Sequence, residues 1–182
     1  MSTLARGGSA LLVIDVQVGV VAEAFAREQT LAAINTAIDK ARAANIPVIW
    51  VQHSDEELIL ESPEWEIASE LEPASDEAKI RKLYPSSFEA TELESVLAGL
   101  GVDHLYISGA ETNNCVRHTS HSALERGYDV TLITDAHTTT GFEWGGYVVD
   151  AARVIDEQNI NFLHKDLPGR TARGVASADL AF

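Results

Sequence analysis

The stretch at residues 10–16, ALLVIDV, constrains the fold more than any other: six apolar residues broken only by a carboxylate. It is far shorter than the about 18 apolar residues of a membrane span. It also lacks the strict alternation of a strand with one wet face, so it reads as a strand buried on both faces. The pattern then repeats. Residues 28–44 carry Leu31, Ile34, Ile38 and Ala41 at helical spacing, with Asn45 as a stop, and residues 46–52 (IPVIWVQ) read as a second strand. Residues 78–82 (AKIRK) are a weak third strand, and 92–99 a helix with a capping box from Thr91 to Glu94. Strands are expected at 102–109, 128–136 and 160–164, and helices at 113–126 and 146–158. Residues 53–77 form an acidic, irregular excursion, and the polar tail 165–182 reads as loosely ordered or packed on a partner. Alternating strands and helices predict a parallel sheet with right-handed crossovers. The expected class is α/β, a three-layer Rossmann-like sandwich with helices on both faces. No G-x-G-x-x-G follows the first strand and no Walker A sequence occurs, which argues against a dinucleotide site.

The length of 182 residues suits one domain, 1–182, able to bury roughly 70% of its unfolded surface without disulfide or metal. Thirteen Lys and Arg against 28 Asp and Glu leave a net charge of −15. That balance argues against nucleic acid and anionic membranes as partners, and leaves small-molecule substrates open. A lone cysteine, Cys115, excludes an internal disulfide framework and any multi-cysteine metal site. The chain therefore fits a reducing compartment, and a cytoplasmic location is expected. The N-terminal stretch makes no convincing signal peptide, because Asp15 and Gln17 interrupt it.

In open parallel sheets, ligands gather at the carboxyl ends of the strands. Three reactive residues are expected at that edge: Asp15 near the end of the first strand, Lys82 ending the third, and Cys115 after the fourth. A thiol at the first turn of a helix is a nucleophile candidate whose pKa the helix lowers, although a lone cysteine also serves as a small buried hydrophobe. A carboxylate inside an apolar strand needs a cation or a role, and Lys82 can supply the cation unless it is merely solvated. Together they hold a nucleophile, a proton carrier and a positive charge, the parts of acyl transfer.

These residues lie in motifs that carry a resemblance: LLVIDVQ (11–17), KLYPSSF followed by T-x-L (82–93), ISGAETNNCV with T-x-x-x-A-L-x-x-G-Y-x-V (107–130), and TDAHTT (134–139). In order and spacing, over roughly residues 10–165, the chain resembles the isochorismatase-like cysteine hydrolases. The resemblance implies a six-stranded parallel sheet, an Asp-Lys-Cys triad at Asp15, Lys82 and Cys115, and a homo-oligomer, dimer or larger. It further implies a non-proline cis peptide between Ala110 and Glu111. That bond would aim the backbone N–H of Glu111, with that of Cys115, into an oxyanion hole.

The departures bear on substrate. Metal-dependent nicotinamidases of the family carry an Asp-x-His pair and a further His after the second strand. Here only His53 stands there, so no metal and no other cofactor are expected. True isochorismatases are understood to work without the cysteine, so Cys115 points to C–N cleavage in a small-molecule amide through a thioester. The alternatives are a non-amide hydrolase acting on a vinyl ether, as isochorismatases do, and a non-catalytic small-molecule-binding protein on the same fold. Around the triad, Gln17 is expected to share a face with Asp15 and steady it, and His53 and His137 to fall near the site. Phe88 and Trp144 are candidate pocket walls, though aromatics also serve as core.

Overall fold

The computed structural model describes residues 2–163 and 165–182. Its strands are β1 (Gly8–Ile14), β2 (Val48–His53), β3 (Ala78–Lys82), β4 (Val102–Ala110), β5 (Asp129–Thr138), the hairpin β6 (Phe142–Trp144) and β7 (Tyr147–Val149), β8 (Asp166–Leu167) and β9 (Arg170–Val175). The helices are a short α1 (Val18–Val21), α2 (Arg27–Ala43), α3 (Leu93–Gly99), α4 (Arg117–Glu125) and α5 (Ala151–Leu163). The main sheet runs β3-β2-β1-β4-β5-β9-β8, with six strands parallel and only the two-residue β8 antiparallel.

β1 is central and buried on both faces, and its side chains alternate between two cores. Ala10, Leu12 and Ile14 pack with Leu93 and Leu97 of α3, Ala123 and Leu124 of α4, and Phe162 of α5. Leu11 and Val13 pack with Leu31, Ile34 and Ile38 of α2, and with Leu180. The chain is thus a three-layer α/β sandwich with helices on both faces, as its alternating pattern predicts.

The C-terminal part departs from expectation. Residues 160–163 continue α5 instead of forming a strand, and His164, the last residue of that expected strand, lies outside the described residues. The reason is spacing: Ala151, Gln158 and Phe162 are buried at helical intervals, whereas Ile160 and Leu163 are exposed. The sixth parallel strand is instead β9, RTARGV, within the tail expected to be loose. The tail is ordered onto its own chain: β9 pairs with β5, Leu180 is buried, and the Tyr106 hydroxyl donates to the Ala181 carbonyl at 3.3 Å. Gly174 permits this, since a Cβ there would stand 2.9 Å from Thr134 Cγ2. The helix expected from residue 146 begins at Ala151, because Gly145 and Gly146, at φ 56° and 83°, turn the β6–β7 hairpin. The capping box does not close either. Thr91 Oγ1 accepts from the Leu93 amide, but Glu94 turns away to Arg6 and to the Tyr128 hydroxyl.

Candidate active site

Three strands end at one edge and deliver three reactive side chains to one point. Ile14 of β1 lies beside Gly109 of β4 and Val51 of β2, and His53 of β2 lies beside Lys82 of β3. Immediately past β1, Asp15 adopts φ 49° while its amide donates to the Val51 carbonyl. Past β4, the Ala110–Glu111 peptide is cis, and residues Thr112–Val116 form a π-helical turn that carries Cys115 into α4. Gly109 makes this crossing geometrically feasible. At φ 119°, any Cβ would lie 2.0 Å from the Ile14 carbonyl oxygen.

Lys82 Nζ lies 2.7 Å from Asp15 Oδ2 and 3.2 Å from Cys115 Sγ, and donates to the Tyr84 carbonyl at 3.2 Å. All three side chains are buried. The Asp15–Lys82 contact is close in distance without the alignment of a hydrogen bond. Burial raises the Asp15 carboxyl above its ordinary range, and the Lys82 charge pulls it back only in part. Burial, and then the Asp15 charge, push the Cys115 thiol up to about 12, against the weaker pull of Lys82. The lowering expected from a helix terminus is absent. Cys115 sits inside the turn, buried beside a carboxylate, and not at a free helix end.

Above the thiol opens a cavity of about 680 Å³, within the range of small-molecule sites. Asp15 and Cys115 form its floor, with Glu111 and Asn114 from the nucleophile turn and Thr140 beyond β5. His53, Asp55, Glu57, Leu58 and Glu64 of the acidic excursion form a wall. That excursion is fixed to α1 and to the link between β1 and α1: the amides of Val18 and Gly19 donate to the carbonyls of Glu66 and Glu64 at 2.8 Å, and the Ala68 amide donates to the Val16 carbonyl at 2.9 Å. Among the described residues, no group of three or more His, Cys, Asp or Glu is placed to hold a metal ion.

The other expected site residues divide. His53 lines the cavity, with Nε2 3.0 Å from Asp55 Oδ2. His137 lies behind the nucleophile turn, its Nδ1 2.9 Å from Thr112 Oγ1 and its Nε2 2.9 Å from Asn159 Oδ1. Burial there drives the His137 pKa down to about 4. Gln17 does not steady Asp15. Its amide group ties strands to excursion, donating to the carbonyls of His53 and Trp65 and accepting from the His53 amide. Phe88 is core, packed on Tyr128 at 5.8 Å between ring centres, because the chain after β3 turns it inward. Trp144 is 80% exposed at the tip of the β6–β7 hairpin and lines no part of the cavity. Sequence reasoning missed Thr112, Thr139 and Thr140. The Thr139 hydroxyl donates to Asn113 Oδ1 at 2.7 Å and that of Thr140 to Glu111 Oε1 at 3.4 Å, bracing the turn from β5. Their signals are the TTT run at 138–140 for Thr139 and Thr140, and the place of Thr112 three residues before Cys115.

Comparison with known proteins gives the family and the fold. The Isochorismatase domain matches residues 9–153, most of the chain. The chain belongs to the Isochorismatase family. Among relatives, it is 35% identical over 140 residues to a streptothricin hydrolase of Streptomyces noursei, covering 74% of this chain and 56% of that protein. With a second streptothricin hydrolase of that organism covered to 49%, the chain spans about half the length of the curated relatives it first matches. It is 26% identical over 184 residues to a ureidoacrylate amidohydrolase of Enterobacter sp., covering 78% of this chain and 80% of that one. A cysteine hydrolase from Pseudomonas syringae pv. phaseolicola shares the fold, with a TM-score of 0.82 at 23% identity over 94% of this chain and 89% of its own.

Proposed function

We propose that this Isochorismatase-family chain is a cysteine hydrolase that cleaves the C–N bond of a small-molecule amide through a thioester. The observation that carries the reading is Lys82 Nζ within 2.7 Å of Asp15 and 3.2 Å of Cys115 at the floor of an open cavity. The amidohydrolase name of one relative supports the choice of bond.

In this mechanism Cys115 rests as a thiol, in keeping with a pKa pushed up to about 12. Asp15 takes the Sγ proton as the substrate excludes water, and the raised affinity of its carboxyl for a proton suits that step. The thiolate attacks the carbonyl carbon, and the backbone N–H groups of Glu111 and Cys115 receive the oxyanion. Asp15 gives its proton to the leaving nitrogen as the C–N bond breaks, leaving an S-acyl enzyme. Asp15 next takes a proton from water, whose oxygen attacks the thioester. The acid departs, and the proton returns to Cys115. Lys82 Nζ, beside both sulfur and carboxylate, stabilises the single negative charge whether Asp15 or Cys115 carries it.

A panel of small primary and secondary amides, read by ammonia or amine release beside isochorismate as a vinyl-ether control, tests this reading. Turnover of an amide that disappears in Cys115→Ala is expected. Cleavage of isochorismate alone, or amide turnover undiminished in Cys115→Ala, overturns it.

A further inference from the structure

The cavity above Cys115 is one-sided in charge. Six carboxylates line it, and no Lys or Arg does. Asp15 is matched by Lys82, and Asp55 is engaged by His53 and by the amides of Glu57 and Leu58. Glu111 accepts from Thr140. The remaining three, Glu23, Glu57 and Glu64, make no ion pair among the described residues. They approach the same space from two separate segments, the turn after α1 and the excursion between β2 and β3. The nearby arginines are spoken for: Arg81 pairs with Glu61 and lies over Trp65, and Arg27 pairs with Glu70. Val20, Leu58 and Leu83 supply apolar wall between the charges. A cleft with partly apolar walls and one sign of charge focuses its field on the ligand.

We infer that the substrate is a cation: a small amide bearing an ammonium, guanidinium or quaternary ammonium group that rests against Glu23, Glu57 and Glu64 while its carbonyl meets Cys115. Amides bearing a carboxylate are repelled from the same space. The identity of the scissile bond rests on the amide-hydrolase reading above; the charge preference rests on the cavity alone.

Charged thiol reagents test the preference without turnover, and the single cysteine makes the label unambiguous. Cys115 is modified with a trimethylammonium-ethyl and a sulfonato-ethyl methanethiosulfonate, and the rate ratio is divided by that for a small free thiol. The expected normalised ratio is about tenfold or more in favour of the cation at low salt. It should shrink toward one in 1 M salt, where screening acts within about 3 Å. It should also shrink in the combined variant Glu23→Gln, Glu57→Gln, Glu64→Gln, whose substitutions fall on exposed side chains outside the triad. A normalised ratio of one or below, or failure of the cationic reagent to reach Cys115 at any salt, overturns the inference whatever is hydrolysed. A second arm compares matched cationic, neutral and anionic amides as substrates, and the cationic one should show the highest kcat/KM. If the labelling preference holds and no amide is cleaved, the amide-hydrolase reading fails and the charge preference stands. A neutral or anionic amide turned over faster than its cationic match overturns the preference as a statement about substrate.

Discussion

At the scale of single residues, Asp15 and Lys82 act on the Cys115 thiol with opposite signs, and this gives the proposed triad a signature that a lone reactive cysteine lacks. The Asp15 charge helps raise the thiol pKa to about 12, and the Lys82 charge lowers it. Asp15→Asn removes the raising charge, so the thiol pKa should fall and alkylation by iodoacetamide near neutral pH should quicken. Turnover should nevertheless fall by about 10²–10⁴, because the proton acceptor is gone. Lys82→Met removes the lowering charge, so alkylation should slow, and turnover should fall as well. The pH profile of alkylation beside kcat in each variant checks this. Parallel changes in alkylation and turnover in Asp15→Asn would contradict the base role. The positions of these three residues were legible in the sequence because each ends or follows a strand, and chain topology alone brings strand ends to one edge. The direction of the thiol shift was not legible. It depends on burial and on a carboxylate 100 positions away in the chain, neither of which a local helix argument contains.

At the scale of elements, the site depends on how closely β1 and β4 approach where Asp15 and the nucleophile turn leave the sheet. Gly109→Ala places a Cβ against the Ile14 backbone at a positive φ, so the strands must separate. The expected cost is about 3 kcal/mol in urea unfolding, with activity lost even below the transition. A stable variant with wild-type activity would show that the approach has slack. The same scale shows what sequence pattern reads well and badly. The buried run of β1 and the helical spacing of α2 place both elements close to where they are found, since apolar periodicity is set by burial itself. Strand β9, second from the edge, escaped because it is held by pairing to β5 and by the small Gly174, with little apolar signal of its own. Its place was given to 160–164, whose apolar residues belong to the last turn of α5. Phe88 and Trp144 show the same limit in side chains. Both are aromatics near the expected edge, yet one is sealed in the core and the other stands out in solvent.

Across the whole molecule, the site is braced from behind by polar groups that the core must keep neutral or paired. His137 is the clearest, linking the nucleophile turn to α5 through Thr112 and Asn159. Its folded pKa lies near 4 against an ordinary 6.5, lowered chiefly by burial. As pH falls from 6.5 to about 4, the unfolded chain binds a proton there that the folded chain does not, so this residue withdraws stability across that window. The full effect is about 3 kcal/mol. Asp15 works in the opposite sense, since its raised carboxyl takes up a proton in the folded state first. Direct titration of the His137 ring by NMR therefore isolates the effect: it should stay neutral at pH 5, and a midpoint near 6.5 would contradict the buried bracing role. The central claim, that Cys115 becomes acylated during turnover, is tested most directly by acid-quenching the enzyme during hydrolysis of an accepted amide and measuring its intact mass. The account predicts a population heavier by the acyl group, located on Cys115 by peptide mapping and absent from Cys115→Ala. Rapid turnover with unmodified Cys115 under conditions that preserve thioesters, and with activity retained in Cys115→Ala, would contradict it.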